Sequence, residues 1–340
     1  MNWNKGFSAT YYATFIDPVT WRDTERFEII SGNINRTASA LRASADITCR
    51  TYDTTEERWI RIYLDTKQGE SGEHVALFTG LATSPQTDIN GIIKEYPLQC
   101  YSVLKPAEDV LLSRGWYAPG GVDAGSIIKE LLNACPCPVE IADNAPFLSE
   151  PVIAEDSETH LSMTEKILNA INWRLRIHGD GTIEVTSQPD SEVATFDVLN
   201  NDSIEPQLTL AHDWFTCPNC FRAVNIDVSA VAKDENPASL LSTISRGREV
   251  WAEENGVDLS NDESIAEYAV RKLKELQQYY IKVNYSRRFH PDILVSDKVR
   301  LYYPAQGIDG VYNIASQSIE LGHGARTSEE VTNGDITTEQ

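Results

Sequence analysis

The segment from Glu57 to Ser84, ERWIRIYLDTKQGESGEHVALFTGLATS, constrains this chain more than any other. Its first arm alternates, with Ile60, Ile62 and Leu64 on one face and Trp59, Arg61 and Tyr63 on the other. The second arm sets Val75, Leu77, Thr79 and Leu81 against Ala76, Phe78 and Gly80. A period of two on both sides of a polar Gly/Ser loop (Lys67 to Glu73) is the pattern of paired antiparallel strands. Such a sheet buries one face and leaves the other to water or a partner. Trp59, Arg61, Tyr63 and Phe78 are therefore candidate partner-facing residues.

An echo of this hairpin lies near the other end, in KVRLYYPAQGIDGVYNIASQSIEL (Lys298 to Leu321). Arg300-Leu301-Tyr302-Tyr303 parallels Arg61-Ile62-Tyr63-Leu64, and a Gly-containing turn follows each. The echo implies two similar β units in one chain. It also adds Arg300 and Tyr302 to the candidate interface.

Between the two hairpins the texture changes. Residues 1–104 carry no amphipathic helix and read as one β unit, which strands near 205–232 could complete. From Leu104-Lys105-Pro106 onward, Asp123 can cap a helix with Ile127, Ile128, Leu131 and Leu132 on one stripe, stopped by Pro136 and Pro138. A second helix, Glu158 to Ile171, runs into a hairpin marked by Gly179-Asp180-Gly181. Residues 105–204 thus form a small inserted α+β domain. Residues 205–324 return to strands: Arg222 to Ala232 alternates, and Ser239 to Glu253 reads as a strand pair bending at Arg246-Gly247. They also hold a helix at 261–279 opened by the S-x-x-E box of Ser260 and Glu263. Residues 325–340 are polar without apolar period and read as a flexible tail. The class is α+β, mainly β.

At 340 residues the chain exceeds one ordinary core. A net charge of −22, from 29 Lys+Arg against 51 Asp+Glu, argues against a groove that grips phosphate. Apolar runs fall short of the roughly 20 residues a bilayer needs, and the N-terminus lacks a signal-peptide pattern, so no membrane association and cytoplasmic synthesis are expected.

Candidate chemistry is sparse. Cys217-Pro218-Asn219-Cys220 has zinc half-site spacing, and Cys135-Pro136-Cys137 could supply two further thiolates, the basis of a zinc-dependent hydrolase reading. Against it, C-x-C is an unusual half-site. No G-x-S-x-G, H-E-x-x-H or P-loop lysine occurs, and no cofactor is implied. His290, before Pro291, reads as a surface residue. Arg246 and Arg248 flank a glycine and read as a turn that pairs with Glu249, Glu253 or a neighbouring subunit.

Several segments in order carry a resemblance. They are ISGNINRTASALRASADITC (Ile30 to Cys49), ALFTGLATS (Ala76 to Ser84), LQCYSVLKPAEDVLLSRGWY (Leu98 to Tyr117) and IAEDSETHLSM (Ile153 to Met163). DWFTCPN (Asp213 to Asn219), STISRGREVW (Ser242 to Trp251) and the closing hairpin follow. Together they resemble the phage tail baseplate hubs, the late control protein D-like group related to the hub part of type VI secretion spikes. The resemblance implies two tail-tube-like antiparallel β-barrel or sandwich domains with a small α+β insertion. It implies a homotrimer whose six tube-like units form a pseudo-sixfold ring around a channel. Such a ring would join a sixfold tail tube or distal tail protein to a threefold spike, with a tape measure protein as a further partner and DNA only as passing cargo. It carries no catalytic residue, and it implies a place in the virion tail baseplate after assembly in the bacterial host cytoplasm. A distal-tail or receptor-binding module that contacts host glycans is the competing expectation.

Overall fold

The computed structural model describes residues 1–333 apart from 40, 53–54, 84–85, 188–190, 226–227, 258–262 and 278–279. The first hundred residues form β1 (Ser8–Ile16), β2 (Asp23–Thr37), β3 (Ala43–Cys49), β4 (Arg58–Lys67), β5 (His74–Thr83), β6 (Asp88–Asn90) and β7 (Ile93–Ser102). Six of them pair antiparallel in the order β1-β4-β5-β7-β3-β2, and β2 returns to β1 with Ala13 opposite Phe27. This closes a barrel. Ile34, Ile47, Ile60, Ile62, Leu64 and Leu98 fill it. Strands from 205–232 take no part. The barrel core is completed instead by Phe289, Ile319, Leu321 and Ala325 from the far end of the chain.

The opening hairpin is β4 paired with β5, but its register is broken. Ile62 lies opposite Phe78 and Tyr63 opposite Ala76, so Leu77 is an extra residue. A bulge of this kind turns two successive side chains to one side, and both Leu77 and Phe78 enter the core. Gly80 makes room for the ring: a Cβ there would sit 2.5 Å from Phe78 Cζ and 2.1 Å from the Tyr101 carbonyl oxygen.

The inserted unit comprises α1 (Lys105–Asp109), β8 (Tyr117–Ala118), α2 (Ala124–Leu131), β9 (Val139–Ile141), β10 (Val152–Ile153), α3 (His160–Ala170), β11 (Trp173–Ile177) and β12 (Ile183–Ser187). Asp123 caps α2, its carboxylate accepting from the Ser126 N–H at 2.9 Å. Thr159 and Ser162 form a reciprocal capping box on α3. The apolar stripes meet in one core that includes Ile128, Leu131, Leu132, Ile167 and Leu168. Its β11–β12 turn lies directly on the barrel, where a Cβ on Gly179 would fall 1.8 Å from the Ala76 carbonyl oxygen.

The remainder holds β13 (Glu192–Asp197), β14 (Ile204–His212), β15 (Cys220–Asn225), β16 (Val228–Lys233), α4 (Thr243–Arg246), β17 (Trp251–Asn255) and α5 (Ile265–Gln277). It ends with β18 (Ile281–Arg288), β19 (Lys298–Tyr303), β20 (Ile308–Glu320) and β21 (Arg326–Asn333). A second sheet runs β14-β18-β21-β20-β19-β13, antiparallel except for β13 against β19. Its core includes Val283, Tyr285, Val299, Leu301, Tyr303, Ile314 and Val331. The two sheets are one hydrogen-bonded surface, because β2 residues Asn33 to Thr37 pair with β20 residues Ser316 to Glu320.

Several expectations change here. β13 belongs to the second sheet, so the inserted unit ends before residue 204. Arg222 to Ala232 is not one strand but the hairpin β15–β16. Ser239 to Glu253 is no strand pair: Ser242 caps the short α4, Gly247 ends it at φ +62°, and β17 pairs parallel with β15. α5 covers that small sheet through Tyr268, Ala269 and Leu273. Its box is Ser264 with Glu267, the Ser264 N–H donating to Glu267 Oε2 at 2.8 Å and the Glu267 N–H to Ser264 Oγ at 3.2 Å, not the expected Ser260 with Glu263, of which residues 260–262 lie outside the described residues. The polar tail is corrected most sharply. Residues 326–333 are β21, bonded on one side to β18 and on the other to β20.

His290 is half-buried near Trp3, their rings 6.2 Å apart, rather than a surface residue. Burial, and then the charge of Arg287, hold its imidazole below the ordinary value of 6.5. The Asp292 N–H donates to its Nδ1 at 3.3 Å, a bond only an unprotonated Nδ1 accepts. With the folded value below the unfolded one, the unfolded chain takes up the proton first, so stability falls as pH drops below about 6.5. His290→Asn is expected to flatten that acid limb, compared by urea unfolding at about pH 7 and about pH 5. An identical limb in both proteins would assign it to other groups.

Candidate functional site: assembly surfaces

The face of the opening hairpin left over for a partner is covered from within the chain. Arg61 donates from Nε to Thr79 Oγ1 (3.0 Å) and from Nη2 to the Asp180 carbonyl (2.8 Å), and its Nη1 lies 3.2 Å from Asp23 Oδ1. Tyr63 donates to Asp23 Oδ2 at 2.6 Å and stacks on Tyr12. Both are buried, as is Phe78, and none of the three can present itself to another subunit. Trp59 is half-buried, edge-on to Trp21 and packed against the inserted unit's core. The alternation of β4 holds, but its second face is covered by the insertion at Trp59 and Arg61 and by Tyr12 and Asp23 of the barrel at Tyr63.

Of the other candidates, Arg300 is exposed and pairs with Asp309 across β19–β20 at 2.8 Å, while Tyr302 is half-buried. Arg246 donates to the carbonyls of Cys217 (2.7 Å) and Trp214, and Arg248 to that of Trp214 (2.9 Å). These arginines shape the loop that holds out Trp214 and Phe215, both exposed. The thiols do not converge. Cys135 and Cys137 lie in the inserted unit's core, whereas Cys217 packs with Leu241 and Tyr280, and Cys220 starts β15. Burial pushes Cys135 and Cys217 up to about 11 each, away from the thiolate form a metal needs. Among the described residues, no group of three or more His, Cys, Asp or Glu is placed to hold a metal.

Two surfaces were not anticipated. The β6–β7 hairpin exposes Ile89, Ile92 and Ile93, with Ile92 100% exposed. Asn90-Gly91 at its tip, Gly91 at φ +62°, is the dipeptide signal that marks such a hairpin. The second surface is a polar groove of about 600 Å³ along β2, β14, β18, β20 and β21. Glu329, which lines it, belongs to a buried ion pair: Arg287 donates from Nε to Glu329 Oε2 (3.0 Å) and from Nη2 to Oε1 (2.6 Å). Tyr285 and Gln317 donate to the same carboxylate, at 2.5 and 2.7 Å. Burial, and then Glu329, push the Tyr285 hydroxyl far up, so it stays a donor. Glu205 and Arg326 pair bidentately at the rim, both bonds 2.8 Å. No spacing in the sequence betrays this network, because its members lie on four strands.

At the open ends of the second sheet, β14 pairs only with β18 and β13 only with β19, among the described residues. No helix among the described residues is long and apolar enough to cross a membrane.

No protein-family model and no curated protein matches the sequence. Solved structures do. A closed barrel joined edge to edge with a second sheet, with a small α+β unit between, is a mainly β fold, and it is the fold of phage tail proteins. A tail protein from Neisseria meningitidis superposes with a TM-score of 0.70 at 16% identity, over 98% of this chain and 98% of that one. The 43 kDa tail protein of prophage MuSo2 from Shewanella oneidensis gives 0.68 at 12% identity, over 96% and 97%. A type VI secretion component from E. coli, itself described as similar to the T4 bacteriophage tail proteins gp27 and gp5, gives 0.52 at 7% identity, over 91% and 74%. The resemblance carried by the motifs from Ile30 to Trp251 therefore holds for the fold.

Proposed function

We propose that this chain is a structural, non-enzymatic protein of a phage tail or phage-tail-like particle, and within it the baseplate hub. The observation that carries this reading is the pair of six-stranded units fused through β2 and β20 in a fold that matches tail proteins along nearly its whole length. Three such chains would offer six β units, a ring able to face a sixfold tube on one side and a threefold spike on the other. The open strands β13 and β14 and the apolar β6–β7 tip are the surfaces such a ring would cover. Half-buried Trp59 and Tyr302, and Arg246, Arg248 and Arg300, remain candidates beside them. A net charge of −22 suits a channel through which DNA slides without adhering. The ring would lie in the virion baseplate, assembled in the host cytoplasm, with tube or distal tail, spike and tape measure proteins as its partners.

A glycan-binding module would offer a cleft rimmed with aromatic rings. The 600 Å³ groove is lined by Asn, Ser, Thr, Gln, Glu and Arg with Leu208, and Tyr285 is its one aromatic among the described residues.

Mass photometry of the purified chain is expected to give a species three times the 38.0 kDa protomer, and averaged images down its axis a ring with six lobes. Ile92→Asp is expected to shift that species toward the protomer while leaving the thermal midpoint within about 1 °C, as surface changes do. A protomer alone at every concentration, or a trimer without lobes, would overturn the hub.

A further inference from the structure

Where the barrel, the inserted unit and the second sheet meet, arginines collect. Arg36 on β2, Arg42 before β3, Arg174 and Arg176 on β11 and Arg287 on β18 come together at this junction; all but Arg176 are buried, and its guanidinium is largely covered. Four carboxylates answer them, of which Glu184 stands opposite Arg176 across β11–β12. Glu165 pairs with Arg42 at 2.5 Å, Glu329 takes Arg287, and Asp297 is shared, 2.9 Å from Arg176 and 3.6 Å from Arg174. Arg36 has none. Its one hydrogen bond among the described residues is from Nη2 to the carbonyl of Leu77, the bulge residue, at 2.6 Å. The charges that act on it are those of Arg287 and Arg176, both positive.

A guanidinium does not lose its proton to escape burial. A buried cation without an opposite charge is strongly destabilising, so something negative belongs beside it. The structure has the space. A cavity of about 20 Å³ is lined by Arg36, Arg42 and Arg176, with Thr37, Ser296 and four apolar residues of β11 and the 294–295 segment beside them. The Nε atoms of Arg42 and Arg176 are buried and have no partner among the described residues. That volume takes one water-sized particle and excludes a side chain or a phosphate.

We propose that this cavity is a binding site for one small monatomic anion of the halide class, chloride in the cell, held by Arg36, Arg42 and Arg176. The ion neutralises the surplus positive charge at the point where three units join, and so fixes their mutual orientation. The site is independent of the hub reading and stands or falls without it.

The test uses the full chain. Exchanging gluconate, which is too large for the cavity, for chloride at constant ionic strength is expected to raise the thermal midpoint by about 2–4 °C and then saturate. Arg36→Gln is expected to abolish that rise. Crystals of the wild-type protein grown in bromide are expected to show an anomalous peak within hydrogen-bonding distance of the Arg36 guanidinium, a result that does not depend on any variant folding. Equal midpoints in the two salts would overturn the proposal. So would a salt response that Arg36→Gln retains, or the absence of a bromide peak. A peak without a salt response would mean an adventitious ion only, which also overturns it.

Discussion

Phe78→Ala is expected to lower the unfolding free energy by about 3–5 kcal/mol, the usual range for emptying a buried aromatic site. Phe78 is 2% exposed, its ring lies over Gly80, and Ile62 stands opposite it across the hairpin. The core it shares with Ile62 is built on strands bonded into a closed barrel, so its neighbours cannot move in to fill the hole. Phe78→Asp should be worse, because its carboxylate would be buried among apolar groups without a partner. Urea unfolding followed by tryptophan fluorescence measures both variants. Native stability combined with failed assembly would place the ring on the outside of the barrel and refute the bulged register.

That register marks where sequence reading stops. The alternation from Trp59 to Leu64 is visible because a period of two survives in any half-buried strand. A bulge is a single extra residue, and one residue is enough to exchange the faces of everything beyond it. Leu77-Phe78 gives no local sign of it, since either residue suits either face. Helix α2 is legible down to its cap, because Asp123 acts on backbone only three residues away, whereas α3 reads as a helix without its Thr159 cap. The fusion of β2 with β20 was not, because it joins positions nearly 300 residues apart. Likewise, the outer face of the β4–β5 hairpin reads as available until Gly179 is seen against β5 and Asp180 against Arg61 of β4.

β21 is the clearest case of a strand hidden by its chemistry. RTSEEVTN has one apolar residue in eight and reads as tail. Its inward positions are Thr327, Glu329 and Val331, 1%, 2% and 0% exposed, so the period of two is present but written mostly in polar residues. What makes Glu329 an interior residue is Arg287 on β18, with Tyr285 and Gln317, and no window of sequence contains them all.

Glu329→Ala is therefore expected to cost about 3–5 kcal/mol, the penalty for breaking a buried pair by removing one member. It would leave Arg287, whose side chain is 1% exposed, without a counter-charge, and would take the acceptor from Tyr285 and Gln317. The loss should exceed that expected from packing alone, because Arg36 adds like charge to the same region. Replacing both members, Arg287→Met with Glu329→Leu, removes the stranded charge along with its partner and is expected to recover most of the stability. The same reasoning fixes the outcome of deleting residues 325–340. β18 and β20 would lose the strand between them and the second sheet would not form, so soluble folded protein should be lost. A double-mutant cycle in denaturant measures the coupling directly. If the effects of Arg287→Met and Glu329→Leu simply add, the pair is no pair, and β21 is held by its backbone ladder alone.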